Sequence, residues 1–186
     1  SPCLPQGDSM RHPLSFIPTD IRKPFFFALL AWTLFMMAVS QVINAPLASS
    51  AAPAGIISFE LARTSSNTQA IIASWESRTQ FFAAFGLGFD FLFMPSYAFT
   101  IALACLLAAG RRKGWLAGIG AWLGWGVLLA ALLDAGENIG LWNSLLGNYF
   151  SAWPQVSFWC AILKFALILL GITYGLIGWV LPKKEV

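Results

Sequence analysis

The segment Asp134-Ala-Gly-Glu137-Asn138 concentrates the proton chemistry this chain can offer. Helical spacing of three and four residues sets its three polar side chains on one face. Two acids so close, partly out of water, form a coupled pair that can share a proton. Lys164 can instead hold both ionised. Asp90 and Tyr97, seven residues apart, share a second helical face, and Gln41 and Glu60 add an amide and a further acid. Side chains of these types support acid–base catalysis, proton-linked binding or recognition of an amphiphile. The one histidine, His12, lies near the amino terminus. Haem ligation, a Ser-His-Asp relay and histidine metal sites are therefore disfavoured. Glu60, Asp90, Asp134 and Glu137 form a conceivable carboxylate metal site, but a lysine in the same layer argues against it, and no metal or cofactor is expected.

The elements that must carry these groups are membrane spans. The chain is 58% hydrophobic and only 10% charged, whereas soluble domains carry about 25% charged residues. Four apolar runs cover roughly Pro24–Asn44, Phe81–Ala109, Trp115–Leu141 and Val156–Leu181. Each is long enough for a hydrocarbon core ~30 Å thick. Residues 21–182 therefore read as one membrane domain behind a polar tail over residues 1–20. Met10 reads as a native start, which would place residues 1–9 outside the native protein. The expected fold is all-α, a four-helix antiparallel transmembrane bundle.

Lys and Arg fix the expected sidedness. Arg11, Arg22, Lys23, Arg111, Arg112, Lys113, Lys183 and Lys184 fall on one side, against Arg63 and Arg78 on the other. Both termini are thus expected in the cytoplasm, most simply of a bacterial inner (plasma) membrane. The net charge of +3 is spread over span ends, with no basic–aromatic patch for nucleic acid.

Depth then unites the polar groups. Asp90 lies twenty-one residues from Arg111, Asp134 twenty-one from Lys113, Lys164 nineteen from Lys183 and Gln41 eighteen from Lys23. At ~1.5 Å per residue all four stand ~27–32 Å from the basic end. Charges inside spans are costly and tend to mark function, although polar contacts also fasten helices at ~0.6–2 kcal/mol each. Three acids and a base at one level exceed what a fastener needs.

Between the first two spans lies a long outer segment, Ala45–Gln80, whose apolar pieces are each too short to cross the membrane. It reads as an outer lid with two short helices, the second capped by Asn67. The tail Arg11–Asp20 should lie along the cytoplasmic surface. Pro95 should free the Phe91 carbonyl and kink the second span. The pairs Gly114/Gly118, Gly120/Gly124 and Gly171/Gly175 permit close packing between spans three and four, or across a dimer. Cys105 and Cys160 differ in depth by ~25 Å, too far for a disulfide.

The sets Phe59-Glu60-Leu61-Ala62, Asp90-Phe91-Leu92-Phe93 with Tyr97, Leu133-Asp134 through Glu137-Asn138, and Lys164-Phe165-Ala166 resemble a widespread, uncharacterised group of small bacterial four-span membrane proteins. That resemblance covers about Phe59 to Trp179 and implies a common fold with these polar positions. The run Asp90-Phe91-Leu92-Phe93-Met94-Pro95 is also similar to the emopamil-binding and sterol-isomerase superfamily. Its bundles bind sterol-like molecules through intramembrane acids.

The function expected is non-catalytic. The protein would bind a lipid or hydrophobic small molecule near the outer leaflet, or serve as a subunit of a larger membrane complex. Its partners would be membrane lipids and a second copy or other subunits. An acid–base enzyme acting on an amphiphile, with Asp134 and Glu137 sharing a proton and Lys164 or Tyr97 polarising the substrate, is the alternative. A proton-linked transporter working as an oligomer is a further one.

Overall fold

A computed structural model describes residues 10–150 and 152–180. The four apolar runs form α1 (Arg22–Asn44), α4 (Ser77–Ala109), α5 (Trp115–Asn143) and α6 (Trp153–Val180). Between α1 and α4 lie α2 (Ile56–Glu60) and α3 (Ser65–Ser74). All four long helices have the length and hydropathy to cross a membrane, and the chain is an integral membrane protein with an all-α bundle. Leu181, Lys183 and Lys184 fall outside the described residues.

The bundle is built around α4. In its most apolar stretch 61% of residues are buried, against 17% in α1, 28% in α5 and 22% in α6. Helices α1, α5 and α6 all pack along it, and α5 and α6 also pack on each other. Outward faces carry exposed Phe35, Trp122, Leu132 and Leu169, an apolar coat that only lipid can solvate cheaply.

Small and polar residues make the close contacts, as expected where lipid removes the hydrophobic drive between helices. A glycine ridge on α6 lies over alanines of α4. A Cβ on Gly178 would overlap Ala108, and one on Gly175 would stand 3.2 Å from Ala104 Cβ. Gly171 faces Ile101 of α4 and Val127 of α5, whereas Gly114 and Gly118 meet nothing. A Cβ on Gly120 would overlap Ala109 of α4 and Tyr174 of α6, so the glycine pairs serve the contact between spans three and four as well as the packing on α4. On the other flank, Trp32 Nε1 donates to Ser96 Oγ (3.1 Å) and the hydroxyls of Thr33 and Thr100 lie 2.8 Å apart. These bonds tie α1 to α4, which runs as one helix through Pro95.

The outer segment is a packed roof. Leu47, Phe59, Ile71 and Trp75 form one core with Leu87 and Leu141 of the spans. Phe59 and Trp75 meet edge to face at 5.2 Å, and Trp75 Nε1 donates to the Leu47 carbonyl at 2.9 Å. Thr64, rather than Asn67, caps α3; its Oγ1 accepts from the Asn67 N–H at 3.2 Å. Thr64 wins because it stands in extended backbone just before the helix, where a side-chain oxygen can reach an N3 amide.

The amino-terminal segment also departs from expectation. It does not stay on the surface but enters the groove between α1 and α5. Leu14 and Ile17 pack on Phe26, Ala102, Leu103 and Leu106. Trp125 Nε1 donates to the Arg11 carbonyl (3.1 Å), and Arg22 clasps the carbonyls of Ile17 (2.9 Å) and Ser15 (3.2 Å). His12 is buried so close to Gly124 that any Cβ there would overlap its imidazole. Gly124 lies nine residues beyond Trp115, ~14 Å along the helix. Burial lowers the His12 pKa to about 4, so the ring enters neutral.

Candidate functional site

Helix α5 delivers the Asp134–Asn138 face inward, and Asp134, Glu137 and Asn138 are each at least 97% buried. This close approach of α6 depends on Gly140, because a Cβ there would overlap Ser157 Oγ. Ser157 instead donates to the Glu137 carbonyl at 3.2 Å. Two turns further on, α6 brings Lys164 to the acids.

Lys164 Nζ sits among three carboxyl groups. It lies 2.6 Å from Asp134 Oδ1, 2.8 Å from Glu137 Oε2 and 3.9 Å from Glu60 Oε2. Asp134 is doubly held, since Tyr97 Oη donates to its Oδ2 at 2.8 Å. Glu137 is less completely matched. Its contact with Lys164 lies off the hydrogen-bond direction, and Oε1 has no hydrogen-bond partner among the described residues.

The remaining acids are held from other elements. Glu60 ends α2 and reaches down from the roof, buried to 7% exposure. Burial pushes its pKa up to about 7 against the pull of Lys164, with repulsion from Asp134 and Asp90 adding to the rise. Asp90 stands apart from the ammonium. Asn138 Nδ2 donates to Asp90 Oδ2 at 2.9 Å and to the Leu87 carbonyl at 3.3 Å. Among the described residues nothing donates to the other Asp90 oxygen.

These groups border a partly open cavity of about 520 Å³. Gln41, Glu60, Asp90, Tyr97, Asp134, Asn138 and Lys164 all line it, and Glu137 stands behind Lys164 without lining it. Gln41 reaches the cavity but forms no hydrogen bond with the cluster. Helix α1 supplies one wall from Leu30 to Asn44, a run of ~21 Å. Phe165, Ile168 and Ile172 of α6 form the facing wall, and α4 forms the back with Phe93 and Ile101. Ile56 and Ile57 of the roof close the upper end. Below, α1 and α6 meet where Phe26 and Phe27 each stand 5.9 Å from the Trp179 ring.

Depth counting could not reveal the wall provided by Ser40 and Asn44, nor the coupling of Thr33 to Thr100. These polar residues on α1 could have been found from the period of Thr33, Ser40, Gln41 and Asn44 around one helical stripe. His12 carried no such signal.

The arrangement divides the cluster by role. Asp134 has its oxygens met by Lys164 and Tyr97, which fastens α4, α5 and α6 together. Asp90 and Glu60 retain unmatched carboxyl oxygens beside a cavity that is charged at one end and mainly apolar beyond it, where the hydroxyls of Thr33 and Thr100 bond to each other. Comparison with protein-family models, with curated proteins and with solved structures yields no match for this chain.

Proposed function

We propose that this membrane protein binds a tailed amphiphile in the cleft between α1 and α6. One observation carries the reading. A cavity lined by α1 from Leu30 to Asn44, ~21 Å of helix, runs from the Asp90–Gln41 region past Met37, Ile168 and Ile172, so its charged groups gather at one end while the other is apolar apart from the mutually bonded hydroxyls of Thr33 and Thr100. Pockets of about 300–1,000 Å³ with apolar walls and a few convergent polar groups suit small-molecule ligands. An amphiphile would lay its tail against α1 and α6 and its head against Asp90. We take the membrane to be a bacterial inner membrane, with the roof toward the outer leaflet, because Lys and Arg gather at the opposite end of the bundle.

Native mass spectrometry of protein released from gentle detergent tests this. Copurified lipid-sized adducts should persist in the parent and fall at least fivefold in Ile168→Trp, which fills the tail channel. Equal adducts in both would place the lipid on the outer surface and end the reading.

A second reading has its own support. Tyr97, Asp134 and Lys164 form a continuous relay whose three members line the cavity. A bound substrate could exchange a proton with it. Recovery of a chemically altered amphiphile after incubation would favour this enzyme; recovery unchanged favours simple binding.

A further inference from the structure

Among the described residues, Lys164 brings one ammonium to a cluster of four buried or half-buried carboxyl groups, those of Glu60, Asp90, Asp134 and Glu137. That ammonium is committed to Asp134 and Glu137, at 2.6 and 2.8 Å. Asp90 has no ion pair among the described residues, and one of its oxygens receives no hydrogen bond. It stands on the cavity wall, where uncompensated charge is costly and a cation of the right shape is welcome.

The surroundings specify that cation. Phe89 and Phe93 line the cavity beside Asp90, and aromatic faces attract ammonium groups. Gln41 and Asn44, three residues apart on α1, line the same end and bring amide oxygens that accept hydrogen bonds. A primary ammonium has three N–H donors, enough for a carboxylate oxygen and two amides. A carboxylate head would instead face the carboxyls of Asp90, Asp134 and Glu60.

We propose that Asp90 receives the primary ammonium head of a single-tailed amphiphile whose chain lies between α1 and α6, so that the cleft selects amines over alcohols and carboxylates. The inference rests on the cleft reading above and adds the identity of the head group. The ammonium can belong to a free alkylamine or to an ethanolamine lipid head.

The test uses the full chain in phosphatidylcholine nanodiscs and four probes with one sixteen-carbon tail: hexadecylamine, hexadecanol, hexadecanoate and the matching lysophosphatidylethanolamine. Binding is read by native mass spectrometry. Hexadecylamine should bind at least tenfold tighter than hexadecanol, and hexadecanoate more weakly than either. Asp90→Asn should bring amine and alcohol to within twofold of each other. Lysophosphatidylethanolamine matching the amine would identify a lipid head as the source; a weak lysolipid with a strong amine would identify a free alkylamine. Equal binding of amine and alcohol in the parent protein overturns the head-group assignment and leaves the cleft intact. Absence of binding by all four, with Ile168→Trp indistinguishable from the parent, overturns the cleft itself. The parent ranking does not depend on the folding of any variant. As a second measurement, hexadecylamine carrying a diazirine next to the head should label the α4 peptide containing Asp90 in the parent protein; labelling confined to the exposed Trp122 face of α5 overturns the proposal.

Discussion

Lys164 Nζ and Asp134 Oδ1 lie 2.6 Å apart between α6 and α5, both side chains almost wholly buried. The pair is a fastener with a consequence. It consumes the one cation of the cluster on an acid that Tyr97 already supports from α4. Charge compensation is thereby concentrated at the three-helix junction and withheld from Asp90, two turns of α4 before Pro95 at most. Structural and binding duties fall on different acids of one layer.

Lys164→Met should strand the Asp134 and Glu137 carboxyls without a counter-charge. Removing one partner of a buried pair costs ~3–5 kcal/mol unless protonation relieves it. The variant should therefore melt far below the parent in detergent at pH 8 and much closer to it at pH 5. Adding Asp134→Asn and Glu137→Gln should restore most of the loss, because both stranded charges are then gone. Melting like the parent at both pH values would mean that the ammonium carries no weight in the bundle.

Glu60 gives a pH dependence of opposite origin. Its pKa is about 7 in the folded protein against an ordinary 4.5, chiefly through burial. Below 4.5 both folded and unfolded chains hold the proton. Between 4.5 and 7 the unfolded chain releases it first, so stability falls with rising pH and the deficit is complete above 7. Glu60→Gln should thus gain roughly 3 kcal/mol at pH 8 and nothing near pH 4. Thermal melts across that range decide it. A less stable Glu60→Gln at pH 8 would show that attraction to Lys164 outweighs burial.

Much of this architecture is legible in the amino-acid order because the membrane simplifies the problem. Apolar runs long enough to span leave one choice of element, and the fixed helical rise converts residue counts into depth. That is why Gln41, Asp90, Asp134 and Lys164, read at one level, meet around one cavity. Helix ends were less legible: α4 starts at Ser77 and α6 at Trp153, because the polar turn Ser77-Arg-Thr-Gln extends α4 and the turn Trp153-Pro-Gln extends α6 ahead of their apolar runs. Azimuth was not legible either. Depth alone does not say that Lys164 chooses Asp134 over Asp90; the approach of α6 over Gly140 decides that. The burial of His12 depends on Gly124, more than a hundred residues away, and on a groove that exists only once α1, α4 and α5 have packed.

That groove makes its own prediction. Gly124→Ala places a methyl group where the His12 ring now lies, and overpacking of this kind costs ~1–3 kcal/mol. The ring should be expelled and the amino-terminal segment should loosen, read as faster tryptic cleavage at Arg11. His12→Ala makes room for the methyl, so the double variant should melt higher than Gly124→Ala alone. Acid should act in the same direction. The folded-state pKa of about 4 lies below the ordinary 6.5, so the contribution of the neutral ring is present above 6.5 and is lost as pH falls toward 4. Unchanged cleavage in Gly124→Ala would show that the segment does not occupy the groove.

The orientation of the whole site in the membrane follows from charge. Arg22, Lys23, Arg111, Arg112 and Lys113 gather at one end of the bundle, and the cavity's polar end faces the other. Excess Lys and Arg in short connections marks the cytoplasmic side, so the roof and Asp90 should face away from the cytoplasm. Two exposed positions report this, Lys113 in the α4–α5 turn and Leu146 before α6. In a background with the native cysteines replaced, a membrane-impermeant maleimide applied to intact cells should label Leu146→Cys and spare Lys113→Cys until the cells are opened. The reverse pattern would put the polar end of the cleft at the cytoplasmic leaflet. The cleft would then draw its amphiphile from that leaflet, and the charge rule would have failed for this chain.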